Sequence, residues 1–178
     1  MPDLRISAAL AQQGGACVTG EQQGRPRKIG ILGGMGPLAT ADFYRKLILA
    51  TPATRDQDHL PVVIDADPRV PDRTSALRGE GADPLPALVA GATRLRDAGA
   101  TIGLIVCNTA HAFLPALRDH VALDFLDMIA ETAARVATDY PEVRRVGLLA
   151  TRGTIEARLY HRAFEARDIE TTTLESAA

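Results

Sequence analysis

Short, nearly continuous apolar runs recur along the chain, separated by longer stretches in which apolar residues return every three or four positions. The runs are Lys28 to Leu32, Val62 to Ile64, Thr101 to Val106, Val121 to Ile129, Val146 to Ala150 and Ile169 to Leu174. Runs of this length, bounded by turn residues, read as strands, and Thr101 to Val106 reads as a buried one. The intervening stretches predict helices. In Leu38 to Ala50, the residues Leu38, Ala41, Asp42, Arg45 and Leu49 are spaced for faces of 3.6 period, Pro37 suits the first helical position and Pro52 ends the helix. In the next, Asp83 is the predicted N-cap, Leu85, Leu88, Val89, Ala92 and Leu95 share a face, and Gly99 is placed as a C-cap. Further helices are expected over Leu114 to His120, Ala130 to Thr138 and Ile155 to Ala166. Asp65 to Asp72 reads as an acidic loop punctuated by proline.

Strands alternating with helices imply an α/β fold, a parallel sheet with flanking helices and right-handed crossovers. Residues 28–126 make a first α/β domain. Residues 127–178 supply the start of a second, similar but incomplete one. Residues 1–27, with Gln12-Gln13-Gly14-Gly15 and Gln22-Gln23-Gly24-Arg25-Pro26, read as a flexible extension. A signal peptide there is the alternative, with a short apolar stretch and only Arg5 before it.

Composition narrows the partners. Twenty basic against 22 acidic residues give a net charge of -2, which offers nothing to nucleic acid or an anionic membrane. No apolar run approaches the ~20 residues of a spanning helix. Two cysteines, Cys17 and Cys107, are too few for a stapled secreted scaffold, so a reducing, cytoplasmic setting is expected.

Two stretches carry chemistry. The turn Gly33-Gly34-Met35-Gly36-Pro37 satisfies a dinucleotide pattern with Ala39, and Asp65 or Asp67 follows the second strand. That acid comes later than the ~20 residues the pattern expects, and Pro37 removes a donor where phosphate would sit. A tight βα turn that needs glycine, or a turn whose amides face a small carboxylate, are the other readings. The second stretch, Cys107-Asn108-Thr109-Ala110-His111, delivers a thiol to the C-terminal end of a strand, where α/β sheets bind ligands. Cys107 is a small buried hydrophobe, a metal ligand with His111, or a reactive thiol. The metal reading lacks further ligands, because His59, His120 and His161 have no companion at ligand spacing. The thiol reading draws support from the strand-to-helix turn, where backbone amides stabilise a thiolate.

Four motifs occur in order. They are Lys28 to Pro37 with Ala39-Thr40, Pro71-Asp72-Arg73-Thr74, Cys107 to His111, and Gly147-Leu148-Leu149-Ala150-Thr151 with Gly153-Thr154. Together they resemble the aspartate/glutamate racemase family, closest to its aspartate racemase branch, from Lys28 to about Thr173. The resemblance implies two similar α/β domains, a site in the cleft between them, no cofactor and no metal. It implies an acidic amino acid as substrate and commonly a homodimer. One cysteine per domain flanks the substrate α-carbon; one removes the proton and the other returns it to the opposite face. By this resemblance Cys107 is the first-domain base, with Asn108 and Thr109 binding substrate around it. Met35 and Gly36 line the carboxylate end, Arg73 grips the side-chain carboxylate, and Thr151 and Thr154 form the second-domain turn facing the cleft.

The family's second cysteine lies in a Gly-Cys-Thr-Glu motif that has no match here, and Cys17 has no motif around it. A helix that returns to pack on the first domain is also unmatched. The expectation is therefore a poor or inactive racemase with uncovered apolar surface. The competing expectations are a truncated, non-catalytic small-carboxylate-binding module and a single-cysteine decarboxylase of the same superfamily.

Overall fold

A computed structural model describes residues 27–174; Cys17 and the predicted extension lie outside them, apart from Arg27. Strand β1 (Ile29–Gly33) is followed by α1 (Pro37–Ala50), β2 (Val62–Ala66), α2 (Arg73–Leu77), α3 (Leu85–Asp97) and β3 (Ile102–Ile105). A 3-10 turn, Thr109–Phe113, leads into α4 (Leu114–His120), β4 (Asp124–Leu126) and α5 (Met128–Asp139). Then come β5 (Arg145–Leu148), α6 (Arg152–Glu156), α7 (Leu159–Glu165) and β6 (Glu170–Thr173).

The first four strands form one parallel sheet in the order β2-β1-β3-β4, and β5 pairs with β6 in parallel in a second sheet. The α/β fold with a parallel sheet and flanking helices is thus the one the apolar runs imply. In the first sheet Ile31 sits opposite both Ile64 and Leu104. Leu32, Ile105 and Phe125 point to the side where α3 and α4 pack, joining Leu88, Leu95, Leu114 and Leu117 in the main core. Around the second sheet Ala133, Phe164 and Ile169 form a smaller cluster with Val146 against it.

Three expectations change. First, the 3.6-period residues of α1 do not face the core. Leu38 and Leu49 are 84% and 71% exposed, while Thr40 is the buried residue of the helix. The helix is tied down by a polar contact. The Thr40 hydroxyl accepts from the Gly34 N–H at 3.0 Å and donates to the Gly36 carbonyl at 2.9 Å. Second, the acidic loop is shorter than expected, because β2 runs on to Ala66 and Arg73 opens α2, capped by Asp72 at the Ser75 N–H (2.8 Å). Third, the single helix expected over Ile155 to Ala166 is broken. Arg158 takes a left-handed conformation (φ 52°) that turns α7 away from α6 and onto α5. Periodicity does not see such a break, since both pieces keep an apolar side.

The glycine turn is explained by space. Gly34 has φ +85°, and a Cβ there would lie 2.5 Å from the Asp67 backbone. A Cβ on Gly33 would lie 2.4 Å from Thr40 Cγ2. The two acids that the dinucleotide pattern singled out are also committed. Asp65 accepts two bonds from Arg94 at 3.0 and 2.9 Å. Asp67 accepts two from the Arg69 side chain, which hold its carboxyl down to about 2.

Gly34→Ala should therefore cost about 2–4 kcal/mol, combining a left-handed backbone with overpacking. Gly36→Ala, where a Cβ meets nothing within 4 Å, should stay within roughly 0.5 kcal/mol. Urea denaturation of the two variants checks the contrast, and equal losses would refute the packing account.

Candidate active site

β3 ends one residue before Val106, whose N–H donates to the Leu32 carbonyl (3.1 Å), so Cys107 emerges at the C-terminal edge of the sheet. Beside it opens a cleft of about 340 Å³, lined by Met35, Ala39, Asp72, Arg73, Thr74, Val106, Cys107, Asn108, Thr109, Met128 and Thr151. Of the residues singled out in the sequence, Cys107, Met35, Arg73, Asn108, Thr109 and Thr151 meet on its walls. Gly36 and Thr154 do not line it.

Thr154 is wholly buried behind the wall. Its hydroxyl lies 2.9 Å from that of Thr109 and 3.1 Å from that of Thr151, and the latter two are 3.1 Å apart. Three hydroxyls in a triangle satisfy one another, each donating one bond and accepting one. A small rotation frees Thr151, the exposed member, to offer its proton to an anion in the cleft. Gly153 makes the triangle possible. A Cβ there would lie 2.4 Å from Thr74 Oγ1 and 3.1 Å from Thr109 Cγ2.

Arg73 is half-buried at the start of α2. One guanidinium nitrogen, Nη1, donates to the Val70 and Pro71 carbonyls at 2.9 and 2.8 Å. Its Nε is buried without a hydrogen-bond partner. Among the described residues no carboxylate lies within 4.0 Å of this guanidinium, although many surface arginines are paired. A guanidinium held by backbone carbonyls, with no carboxylate beside it among the described residues, is suited to bind one through its planar fork of donors.

Tyr160 and Met128 went unrecognised in the sequence. Tyr160 donates its hydroxyl to Asn108 Oδ1 at 2.7 Å. Burial pushes the tyrosine's pKa up, which keeps that donor protonated. With Oδ1 occupied, the Asn108 amide NH₂ is left to act as a donor. No local signal marks Tyr160, which arrives from α7 only because the chain breaks at Arg158. The sequence puts the helix start at Ala130, after Met128, but Asp127 caps α5 and Met128 opens it, the Asp127 carboxylate accepting from Ile129 and Ala130 at 2.9 and 3.1 Å. His111 is buried and bonded to the Cys107 carbonyl at 2.8 Å. Among the described residues no group of three His, Cys, Asp or Glu side chains is placed to hold a metal ion.

A family model described as Asp/Glu/Hydantoin racemase matches residues 32–177. The chain belongs to this family. It is 27% identical over 148 residues to the broad specificity amino-acid racemase RacX of Bacillus subtilis (strain 168), spanning 80% of this chain and 62% of that one. The Picrophilus torridus aspartate racemase is 34% identical and superposes with a TM-score of 0.75, over 83% of this chain and 62% of that one. The glutamate racemase of Francisella tularensis, solved with D-glutamate, shares the fold at a TM-score of 0.62 and 19% identity, over 83% of this chain and 52% of that one. The chain thus spans less than two thirds of the length of these racemase-family proteins. Among the described residues no helix is long and apolar enough to cross a membrane.

Replacing Thr154 by Val removes a buried hydroxyl that serves two others. It should destabilise the chain by about 1–3 kcal/mol, read as a lower urea midpoint. An unchanged midpoint would show that the triangle contributes nothing.

Proposed function

We propose that the chain carries one catalytic half of a cofactor-independent amino-acid racemase of the aspartate/glutamate type, with Cys107 as its acid/base. The observation that carries this reading is the shared cleft: a free thiol, Cys107, stands on its wall with an Arg73 guanidinium that no carboxylate neutralises. Arg73 binds a carboxylate of the acidic amino acid. The Asn108 amide and the Thr151 hydroxyl supply donors for the charge that develops when the α-proton leaves. Such preorganised donors matter because an α-proton is a very weak acid.

In the step itself the Cys107 thiolate forms an S–H bond with the α-proton. The C–H electron pair passes into the α-carboxylate as an enediolate. Return of a proton to the opposite face requires a second acid. Cys107 is the one cysteine among the described residues, and on this reading it alone exchanges the α-proton on one face, with racemisation slow. The two sheets are the cores of two domains, residues 28–126 and 127–178, with the cleft between them. The exposed Leu38 and Leu49 of α1 support a homodimer, and a free catalytic thiol suits the cytoplasm.

Incubation with L-aspartate in D₂O tests this by NMR. Deuterium should enter the α-carbon with retention, and Cys107→Ser should abolish it. Rapid inversion would reveal a second base. No exchange with measurable aspartate binding would leave a carboxylate-binding module, and carbon dioxide release from a malonate-type acid would identify a decarboxylase. Arg73→Ala should weaken aspartate binding roughly ten- to hundredfold, as for loss of charge-assisted hydrogen bonds. Calorimetry measures it, and unchanged affinity would remove Arg73 from the site.

A further inference from the structure

Among the described residues, His111 is the one ionisable side chain that is buried, at 5% exposure. The proton transfer proposed above makes no use of it. Both ring nitrogens are nevertheless engaged. Nδ1 lies 2.8 Å from the Cys107 carbonyl, and a carbonyl only accepts, so Nδ1 carries the hydrogen. The Met128 N–H points at Nε2 from 3.3 Å, and an N–H only donates, so Nε2 is bare. The ring is therefore the neutral Nδ1–H tautomer. Burial lowers its pKa from 6.5, which favours the same form.

The two residues it joins face each other in function. Cys107 follows β3 after Val106, Met128 opens α5, and both line the cleft. We infer that His111 is a positioning residue, a latch that sets where the Cys107 wall stands relative to the Met128 wall and opens when the ring is protonated. The inference rests on Cys107 being the base only for its bearing on catalysis; the latch itself stands on the two hydrogen bonds.

Protonation places an N–H on Nε2, facing the Met128 N–H, and the bond is lost. The charged groups around the ring are few. Asp127, the cap of α5, favours the proton, and Arg118 of α4 opposes it. Arg162 of α7 and Arg167, just beyond its end, share with His111 a second cavity of about 330 Å³ and add positive charge. The Cys107 residue lines the first cleft, which His111 does not. Because the folded pKa lies below the unfolded 6.5, the unfolded chain takes up protons first as pH falls. The latch contributes fully above that value and is lost as pH drops through the folded one.

The test uses the full chain with Cys17→Ser, so that Cys107 is the single thiol. NMR from about pH 5 to 8 should show the Met128 amide shifting with the same midpoint as the His111 ring, below the free value. The rate of Cys107 alkylation by iodoacetate, relative to iodoacetamide, should bend at that midpoint. Asn at 111 keeps the donor to the Cys107 carbonyl and Gln keeps the acceptor for Met128. His111→Asn and His111→Gln should each erase the bend and lower the iodoacetate preference roughly three- to tenfold, the worth of one hydrogen bond. A Met128 amide that stays flat while His111 titrates overturns the proposal, and this needs no variant. So does a wild-type alkylation profile in both variants. Failure of deuterium exchange alone would overturn the role of Cys107 and leave the latch standing.

Discussion

The cleft depends on how closely the β5–α6 turn approaches the turns that carry Cys107 and Arg73. Gly153 has no room for a Cβ between Thr74 and Thr109. With that contact closed, the hydroxyls of Thr109, Thr151 and Thr154 come within 3.1 Å of one another. The segments that follow β3 and β5 are thus joined by short, directional bonds, one of whose members is wholly buried. A gap of even one methyl group there would leave buried hydroxyls without partners, which costs more than the bonds gain when made.

The rest of the site is arranged around that junction. Parallel pairing brings Cys107 to the carboxyl edge of the sheet, where strands hand over to loops. The left-handed Arg158 turns α7 so that Tyr160 reaches Asn108. The Asp127 cap starts α5 at Met128, within reach of His111. Each of these devices is short-range, yet each acts on a residue that lies far away in the chain.

Charge placement separates site from surface. Asp65 and Asp67 lie near the same sheet edge but are neutralised by Arg94 and Arg69. Arg73 is held instead by backbone carbonyls, which fix its position without cancelling its charge. A guanidinium held in this way keeps further donors free for hydrogen bonding.

The amino-acid order by itself determined the strands, the parallel α/β class and the position of Cys107 at a strand end. Those depend on local apolar runs and on turn residues such as Pro37 and Gly99. The motif around Cys107, with Arg73 and Thr151, was legible because the spacing of chemical groups survives in sequence. Only the tertiary structure decided which side of α1 is buried, since Thr40 is held by a polar contact that no hydrophobic period records. It alone broke the helix at Arg158, moved Thr154 behind the wall, and brought in Tyr160, Met128 and His111. The reason is physical. A hydrogen bond between residues 52 positions apart, such as Tyr160 to Asn108, leaves no periodic trace in either segment.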